Sequence, residues 1–191
     1  MNHNPIESNT SVANKPDFVY IYEVDRHLEH KQRLLKYVKK YISEKKDKAY
    51  SPEGYAFDYK QVPGGKPEYL EYLRDVVWPY ISDVADIFYS FAPKVHAPWF
   101  QQYTQSTSHG WHNHPGSDFA CVYLAECPDP EEATEFYGYG NFGAKEGNII
   151  IFPSFLIHRS PPIKSNHRKT IFAFNFRTVY DKSKDKMLNH I

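Results

Sequence analysis

The sequence predicts a mainly β protein in which an antiparallel barrel or jelly roll is buttressed by N-terminal helices. Two observations predict this class. Apolar residues recur at helical spacing in two long segments of the first half, whereas the second half consists of short runs with strand character separated by turn sequences. Aromatic residues make up 17% of the chain, and they are enriched in strands. Strands that follow helices in this order are typical of helix-supported barrels and jelly rolls.

The first half of the chain predicts one strand and two helices. The strand is DFVYIYEV at residues 17–24. A first helix is predicted over residues 26–46, where apolar residues lie on one face and lysines on the other. A second helix is predicted over about residues 67–91, and its Trp78-Pro79 pair predicts a kink or a division into two helices.

The second half predicts seven strands. Turn signals at HPGS, CPDPEE, YGYGNFGAKEG and SPPIKSN separate them. The predicted strands cover residues 99–105, 109–114, 118–126, 133–138, 147–152, 155–160 and 168–178.

Composition and charge exclude several classes of protein. Lysine plus arginine equals aspartate plus glutamate, 23 against 23, so no overall field favours nucleic acid or an anionic membrane. No apolar run approaches the length of a membrane span. Cys121 and Cys127 are too close in a strand and its loop to pair easily, which predicts a reduced, cytoplasmic protein. Residues 1–16 predict a flexible tail, and residues 17–191 a single domain.

Three histidines predict a metal site. His112 and His114 lie in GWHNHPGSDF, and alternate side chains of a strand point to the same face. His158 follows an apolar strand and a Pro-containing turn in EGNIIIFPSFLIHRSPP. Because a jelly roll places strands that are distant in sequence side by side, His158 is expected to complete a site of three nitrogen ligands. Asp118, four residues after His114, is an alternative oxygen ligand.

A basic residue on the last strand predicts an anion site. In HRKTIFAFNFR, Arg168, Thr170, Phe172 and Phe174 share one strand face. If the phenylalanines face the barrel interior, Arg168 does so too, and a buried guanidinium requires an anionic partner. Its planar fork matches a carboxylate, to which the Thr170 hydroxyl would add a hydrogen bond. The alternative is an ion pair between Arg168 and a carboxylate of the protein itself.

Together, WHNHPGSDFACVYL, GNIIIFPSFLIHRSPP and HRKTIFAFNFR resemble the iron(II)/2-oxoglutarate-dependent oxygenases, especially a subgroup common in marine phages and bacteria. The resemblance covers residues 97–177 and implies a double-stranded β-helix, the jelly-roll core of that superfamily. The family carries an HxD or HxE pair, a distal histidine, and an Arg or Lys about ten residues later that binds the distal carboxylate of 2-oxoglutarate. The resemblance thus implies that His112 and His158 bind iron and that Arg168 with Thr170 holds the cosubstrate.

This sequence departs from the family pattern at His114, where the family has a carboxylate. Three neutral imidazoles would leave a ferrous centre more positive than two histidines and a carboxylate do. We expect His114 rather than Asp118 to be the third ligand, because the strand itself places His114 on the same face as His112. Tyr103, on an earlier strand, is a candidate to hydrogen-bond the cosubstrate, although a core role fits it equally well.

The same stretches also resemble the cupins, which share the barrel. Their first motif matches the HNH pair and the acid that follows it, and their second matches Gly147, Pro153 and His158, with Phe155 in place of an inner glycine. A cupin could be a three-histidine dioxygenase, an isomerase or a binding protein without turnover, and none of these uses 2-oxoglutarate. Arg168 favours the oxygenase.

The sequence therefore predicts an iron(II)- and 2-oxoglutarate-dependent dioxygenase. Its expected partners are 2-oxoglutarate, O2 and an unidentified prime substrate, which is a protein side chain, an amino acid or a small metabolite to be hydroxylated with release of succinate and CO2. Monomer and homodimer stay open, and a phage-encoded chain would act in the host cytoplasm. Three further residues near the motifs are expected to lie outside the site: His109 and His167 exposed to solvent, and Asn175 facing away from Arg168.

Overall fold

The computed structural model of the chain describes residues 16–59, 61, 66–88, 92–96 and 98–179. Within these residues the helices are α1 (His27–Lys45), extended by a 3-10 turn at Lys46–Ala49, and α2 (Leu70–Ile87), with a further 3-10 turn at Pro130–Glu132. The strands are β1 (Tyr20–Glu23), β2 (Ala56–Phe57), β3 (Lys94–Val95), β4 (Trp99–Tyr103), β5 (His109–His112), β6 (Phe119–Glu126), β7 (Glu135–Phe136), β8 (Asn148–Pro153), β9 (His158–Ser160) and β10 (Lys169–Arg177).

These strands form two antiparallel sheets, so the predicted jelly roll is confirmed. The larger sheet has the order β1-β8-β6-β10-β4-β2, with β3 on the end of β10, and the smaller one has the order β5-β9-β7. Neighbouring strands in space are distant in sequence, as a jelly roll requires. The predicted β5 and β9 segments, which carry the histidine motifs, lie side by side in the smaller sheet.

The larger sheet is buried on both faces. One face packs against α1 and α2, where Leu34 and Leu73 from the helices meet Phe172, Phe174 and Phe176 of β10. The other face looks into the barrel, toward a second core cluster of buried residues that includes Tyr103, Val122, Leu124, Phe152 and Ile171. Alternate residues of β10 thus face the helices and the barrel interior.

The predicted helices agree with the structure apart from their ends. The structure does not divide α2 at Pro79, and both Pro79 and Asp75, whose carbonyl loses its helical partner, are exposed. Water can therefore satisfy that carbonyl. The predicted tail up to residue 15, and residues 89–91 of the predicted second helix, lie outside the described residues.

The described helices include none that is both long and apolar enough to cross a membrane. Cys121 and Cys127 are both buried and free, as their spacing predicts.

Gly147 has a structural role where α1 packs on the sheet. Its φ angle is +85°, and a Cβ at this position would lie 3.1 Å from the imidazole ring of His27. That ring is held by a hydrogen bond of 2.7 Å between its Nδ1 and the Tyr123 hydroxyl. The backbone conformation and the close approach of α1 therefore both require glycine.

We expect Gly147→Ala to lower the free energy of unfolding by about 1–3 kcal/mol, because alanine is strained at positive φ and must also displace His27. Urea unfolding of parent and variant measures this difference. Gly110→Ala is the control, since a Cβ there meets no atom within 4 Å. We expect it to change stability by less than about 0.5 kcal/mol. Equal stability of Gly147→Ala and the parent would contradict the assignment.

Candidate metal centre

Two neighbouring strands of the smaller sheet bring His112, His114 and His158 together. His112 lies directly opposite His158 in the antiparallel pair of β5 and β9. His114 follows the end of β5, where its backbone N–H donates to the Ser154 carbonyl at 2.9 Å. One nitrogen of each ring lies within 4.8 Å of the others, and the Nε2 atoms of His114 and His158 are 3.2 Å apart.

Backbone carbonyls orient two of the three rings. The Nδ1 atoms of His112 and His158 lie 2.8 and 2.9 Å from the carbonyl oxygens of Gly110 and Leu156. A carbonyl only accepts hydrogen bonds, so each Nδ1 carries the proton and each Nε2 offers its lone pair to the cluster. This is the usual arrangement of metal-binding histidines.

The cluster favours neutral imidazoles, the form that binds metals. Burial, together with the charge of the neighbouring histidines, lowers the pKa of His158 to about 3 and that of His114 to about 4. Burial also lowers the pKa of His112. All three rings are therefore ready to bind a metal at neutral pH without first losing a proton.

The donor set fits a divalent transition metal. Imidazole suits iron, zinc, copper and nickel. A metal with three nitrogen ligands at about 2.1 Å keeps them roughly 3.0–3.4 Å apart. One pair already has this separation, and the nitrogen of the third ring lies within 4.8 Å of both. Three protein ligands leave coordination positions open for a substrate.

Asp118 is not part of the cluster, so its placement as an alternative ligand is wrong. Its Oδ2 accepts hydrogen bonds from the backbone N–H and the hydroxyl of Thr178, at 2.7 and 2.8 Å. The Pro-Gly turn after His114 carries Asp118 to the surface, where it fixes the residues that follow β10.

The predicted placement of Arg168 and Thr170 inside the barrel is also wrong. The Arg168 side chain is 57% exposed and pairs with Glu126 at 3.2 Å, the alternative that the sequence left open. The Thr170 hydroxyl donates to the same carboxylate at 2.8 Å. The reason is that Phe172 and Phe174 face the helices rather than the barrel, so residues of the same parity on β10 point away from the histidines.

Lys169 is the basic residue that enters the barrel. Its side chain is fully buried, and its Nζ donates to the Glu132 carbonyl at 2.5 Å and to the Ser160 hydroxyl at 2.8 Å. Both partners are uncharged, and the structure pairs this ammonium with no carboxylate among the described residues. Burial lowers the pKa of Lys169 to about 8. A buried cation with this environment is suited to an anionic ligand.

One cavity joins the histidines to the surroundings of Lys169. It is lined by all three histidines and by Tyr103, Ser160 and Ile171, among others. Ser160 binds the Lys169 ammonium, which also lies 5.4 Å from the centre of the Tyr103 ring. The Tyr103 hydroxyl is buried and has no hydrogen-bond partner in the described part of the chain. It is therefore an available donor in the cavity, and its contact with the cosubstrate stays a prediction.

Two histidines expected at the surface are partly buried instead. His109 stacks on His112 with ring centroids 4.1 Å apart, and its Nδ1 lies 3.2 Å from the Gln101 amide nitrogen. Burial lowers the pKa of His109 to about 4. His167 contacts the buried Glu132 at 2.6 Å. His109 lies three residues before His112, so regular strand alternation would place it on the opposite face from the HNH pair. The irregular register of β5 between His109 and His112 explains why it reaches the site.

The fold and the cluster define a jelly-roll protein with a three-histidine site. Solved structures share this fold. HygX from Streptomyces hygroscopicus, with nickel and 2-oxoglutarate bound, has a TM-score of 0.61 at 10% identity over 85% of this chain and 83% of that one. The 2-oxoglutarate complex of the viral collagen prolyl hydroxylase vCPH from Paramecium Bursaria Chlorella virus-1 has a TM-score of 0.58 at 12% identity over 85% and 97%.

A third solved structure is the non-heme α-ketoglutarate-dependent carbocyclase SnoK from nogalamycin biosynthesis, with a TM-score of 0.58 at 10% identity over 90% of this chain and 86% of that one. No protein-family model matches the sequence, and the comparison with curated proteins found no match. At identities this low, the structural matches establish a shared double-stranded β-helix fold and nothing further.

Proposed function

We propose that this protein is an iron(II)- and 2-oxoglutarate-dependent dioxygenase that hydroxylates a protein side chain, an amino acid or a small metabolite. The observation that carries the proposal is the buried Lys169 ammonium beside the cavity that His112, His114 and His158 line. A metal with open coordination positions can bind the 2-oxo acid group of 2-oxoglutarate, and a buried cation without an anionic partner can bind its distal carboxylate. HygX and vCPH, which share the fold, bind 2-oxoglutarate.

In this proposal Lys169 replaces Arg168 as the residue that holds the distal carboxylate of 2-oxoglutarate. The carboxylate would stabilise the charged ammonium, whose pKa is lowered to about 8, mainly by burial. Tyr103 and Ser160 are placed to donate further hydrogen bonds, since both line the cavity beside Lys169. A charge-assisted hydrogen bond in a buried site is stronger than one between neutral groups.

The three histidines would hold iron through their Nε2 atoms. Iron and 2-oxoglutarate together supply the oxidation of a C–H bond, with release of succinate and CO2. The chain would contribute binding and orientation: backbone carbonyls fix the rings of His112 and His158, and the apolar Val122 and Ile171 line the cavity beside them. Because all three histidines are neutral, the cosubstrate would supply the negative charge that they do not.

A second candidate function is a cupin-like metal protein that does not use 2-oxoglutarate. The three-histidine set without a carboxylate favours it, because the cupins that the sequence also resembles include three-histidine dioxygenases. The two candidates differ in what they require of Lys169: only the oxygenase needs a buried cation.

Binding of 2-oxoglutarate to the iron-loaded protein distinguishes the two functions. We expect a metal-to-ligand charge-transfer band to appear when 2-oxoglutarate is titrated into the Fe(II) protein without oxygen, and succinate to form slowly when oxygen is admitted. Absorption spectroscopy and quantification of succinate measure these. The metal-free protein is the control. An iron-loaded protein that gives neither the band nor succinate would exclude the oxygenase and leave the cupin-like function.

The remaining partners and the location follow from the same proposal. O2 and the prime substrate would be the other reactants. Two buried, free cysteines suit a reducing compartment, so we propose that the protein acts in the cytoplasm, as a single domain over residues 17–191.

A further inference from the structure

Asn175 lies on β10 beside the one histidine of the cluster whose Nδ1 faces a side chain. Its amide nitrogen is 3.4 Å from Nδ1 of His114, and its Oδ1 is buried without a hydrogen-bond partner in the described part of the chain. The sequence places Asn175 correctly on the face opposite Arg168, and this is the face that looks toward the metal site. A primary amide can present either a donor or an acceptor, depending on which way it is turned.

In the absence of a metal, the hydrogen bonds determine which ring nitrogen of His114 carries the proton. Its Nε2 lies 3.2 Å from Nε2 of His158, and a hydrogen bond there requires a proton on one of the two atoms. His158 carries its proton on Nδ1, where it donates to Leu156. The shared proton is therefore on Nε2 of His114, which leaves its Nδ1 to accept from the Asn175 amide N–H.

Metal binding reverses these roles. Nε2 of His114 must then give its lone pair to the metal, so a neutral ring carries its proton on Nδ1 and needs an acceptor. Asn175 supplies one if its amide turns over and presents Oδ1. In the present orientation Oδ1 has no hydrogen-bond partner among the described residues, so the turn breaks no hydrogen bond that Oδ1 makes there. A backbone carbonyl, which holds the other two rings, could not serve both states.

We propose that Asn175 is the positioning residue for His114, and that its amide accepts from His114 Nδ1–H when the metal is bound and donates to His114 Nδ1 when it is absent. This inference rests on the three-histidine metal site of the proposed function. It goes beyond that function because it assigns part of the control of metal affinity to Asn175, a residue that does not itself bind the metal. The reversal costs the parent protein part of its affinity, since two groups must rearrange when the metal enters.

Nitrogen NMR of histidine-labelled protein tests the tautomers directly, with Zn(II) as a diamagnetic probe. In the metal-free parent we expect His114 to carry its proton on Nε2, and His112 and His158 to carry theirs on Nδ1. With Zn(II), all three should carry it on Nδ1. In Asn175→Asp, whose carboxylate only accepts, His114 should carry its proton on Nδ1 even without metal.

Affinity for Zn(II), measured by competition with a chelator, is the second readout. Partners of this kind change metal affinity by about 10–100-fold. We therefore expect Asn175→Asp to bind Zn(II) at least about 10-fold more tightly than the parent, and Asn175→Leu about 10–100-fold more weakly. The matched control is Asn148→Asp, because Asn148 is also a strand asparagine with one buried, unpaired amide atom, but it binds the Lys145 backbone N–H in another part of the sheet. It should leave Zn(II) affinity unchanged.

Different results would overturn different proposals. The role of Asn175 would be overturned if both Asn175 variants bound Zn(II) as tightly as the parent, or if His114 carried its proton on Nδ1 in the metal-free parent. The metal site would stand in either case. A parent protein that binds no Zn(II) or Fe(II) would overturn the proposed function, and the inference with it.

Discussion

Lys169→Met is expected to abolish most of the affinity for 2-oxoglutarate while leaving iron binding unchanged. Truncating one partner of a buried charge pair costs on the order of 2–5 kcal/mol. This corresponds to roughly 30-fold to several-thousand-fold weaker binding. The effect is large because the Lys169 ammonium is fully buried and its present partners, the Glu132 carbonyl and the Ser160 hydroxyl, cannot neutralise it. Anaerobic titration of the charge-transfer band measures the affinity.

Arg168→Met is the matched control, because the same change is made one residue earlier on the same strand. Arg168 points to the opposite face, where it pairs with Glu126 at the surface, so this variant should bind 2-oxoglutarate like the parent. Iron content and thermal unfolding without cosubstrate verify that Lys169→Met is folded and loaded. The reverse result, with Arg168→Met impaired and Lys169→Met unaffected, would restore the arginine as the cosubstrate residue.

The choice between these adjacent residues shows where the sequence stops being informative. Strand parity separates Arg168 from Lys169, but it does not say which parity faces the barrel. Phe172 and Phe174 on one face of β10, and Ile171 and Ala173 on the other, are all apolar, because both faces of this central strand are buried. Only the position of the helices, which cover the phenylalanines, decides the question.

The three-histidine cluster could be predicted because its geometry is largely local. The spacing of two residues predicted that His112 and His114 share a face, and they do meet although His114 lies just beyond the end of β5. The strand-turn pattern before His158 resembles a known motif closely enough to predict the third histidine. Residues that approach the site through irregular backbone could not be predicted in this way. His109 reaches the cluster through the irregular register of β5. Asn175 lies in regular strand β10, and its contact with His114 depends on how the chain after β5 packs against β10, which the sequence does not specify.

His158→Ala should remove the metal and the stabilisation that it provides. His158 is the most buried histidine of the cluster, and its Nε2 lies 3.2 Å from Nε2 of His114. Truncation to alanine would leave two of the three nitrogens. We expect Fe(II) affinity to fall by more than about 100-fold, beyond the 10–100-fold that loss of an orienting partner causes. Elemental analysis after anaerobic loading measures the iron that remains.

The change in stability provides an independent measure of the same loss. A ligand at 100 times its dissociation constant stabilises a folded protein by about 2.7 kcal/mol. The parent should therefore unfold at a higher temperature when Fe(II) is added, and His158→Ala should not. Asp118→Ala is the informative control, since Asp118 binds Thr178 at the surface and should retain both the iron and the temperature shift. Full iron occupancy in His158→Ala, or its loss in Asp118→Ala, would mean that the metal is held by a different set of ligands, because truncation of a true ligand cannot leave a three-nitrogen site complete.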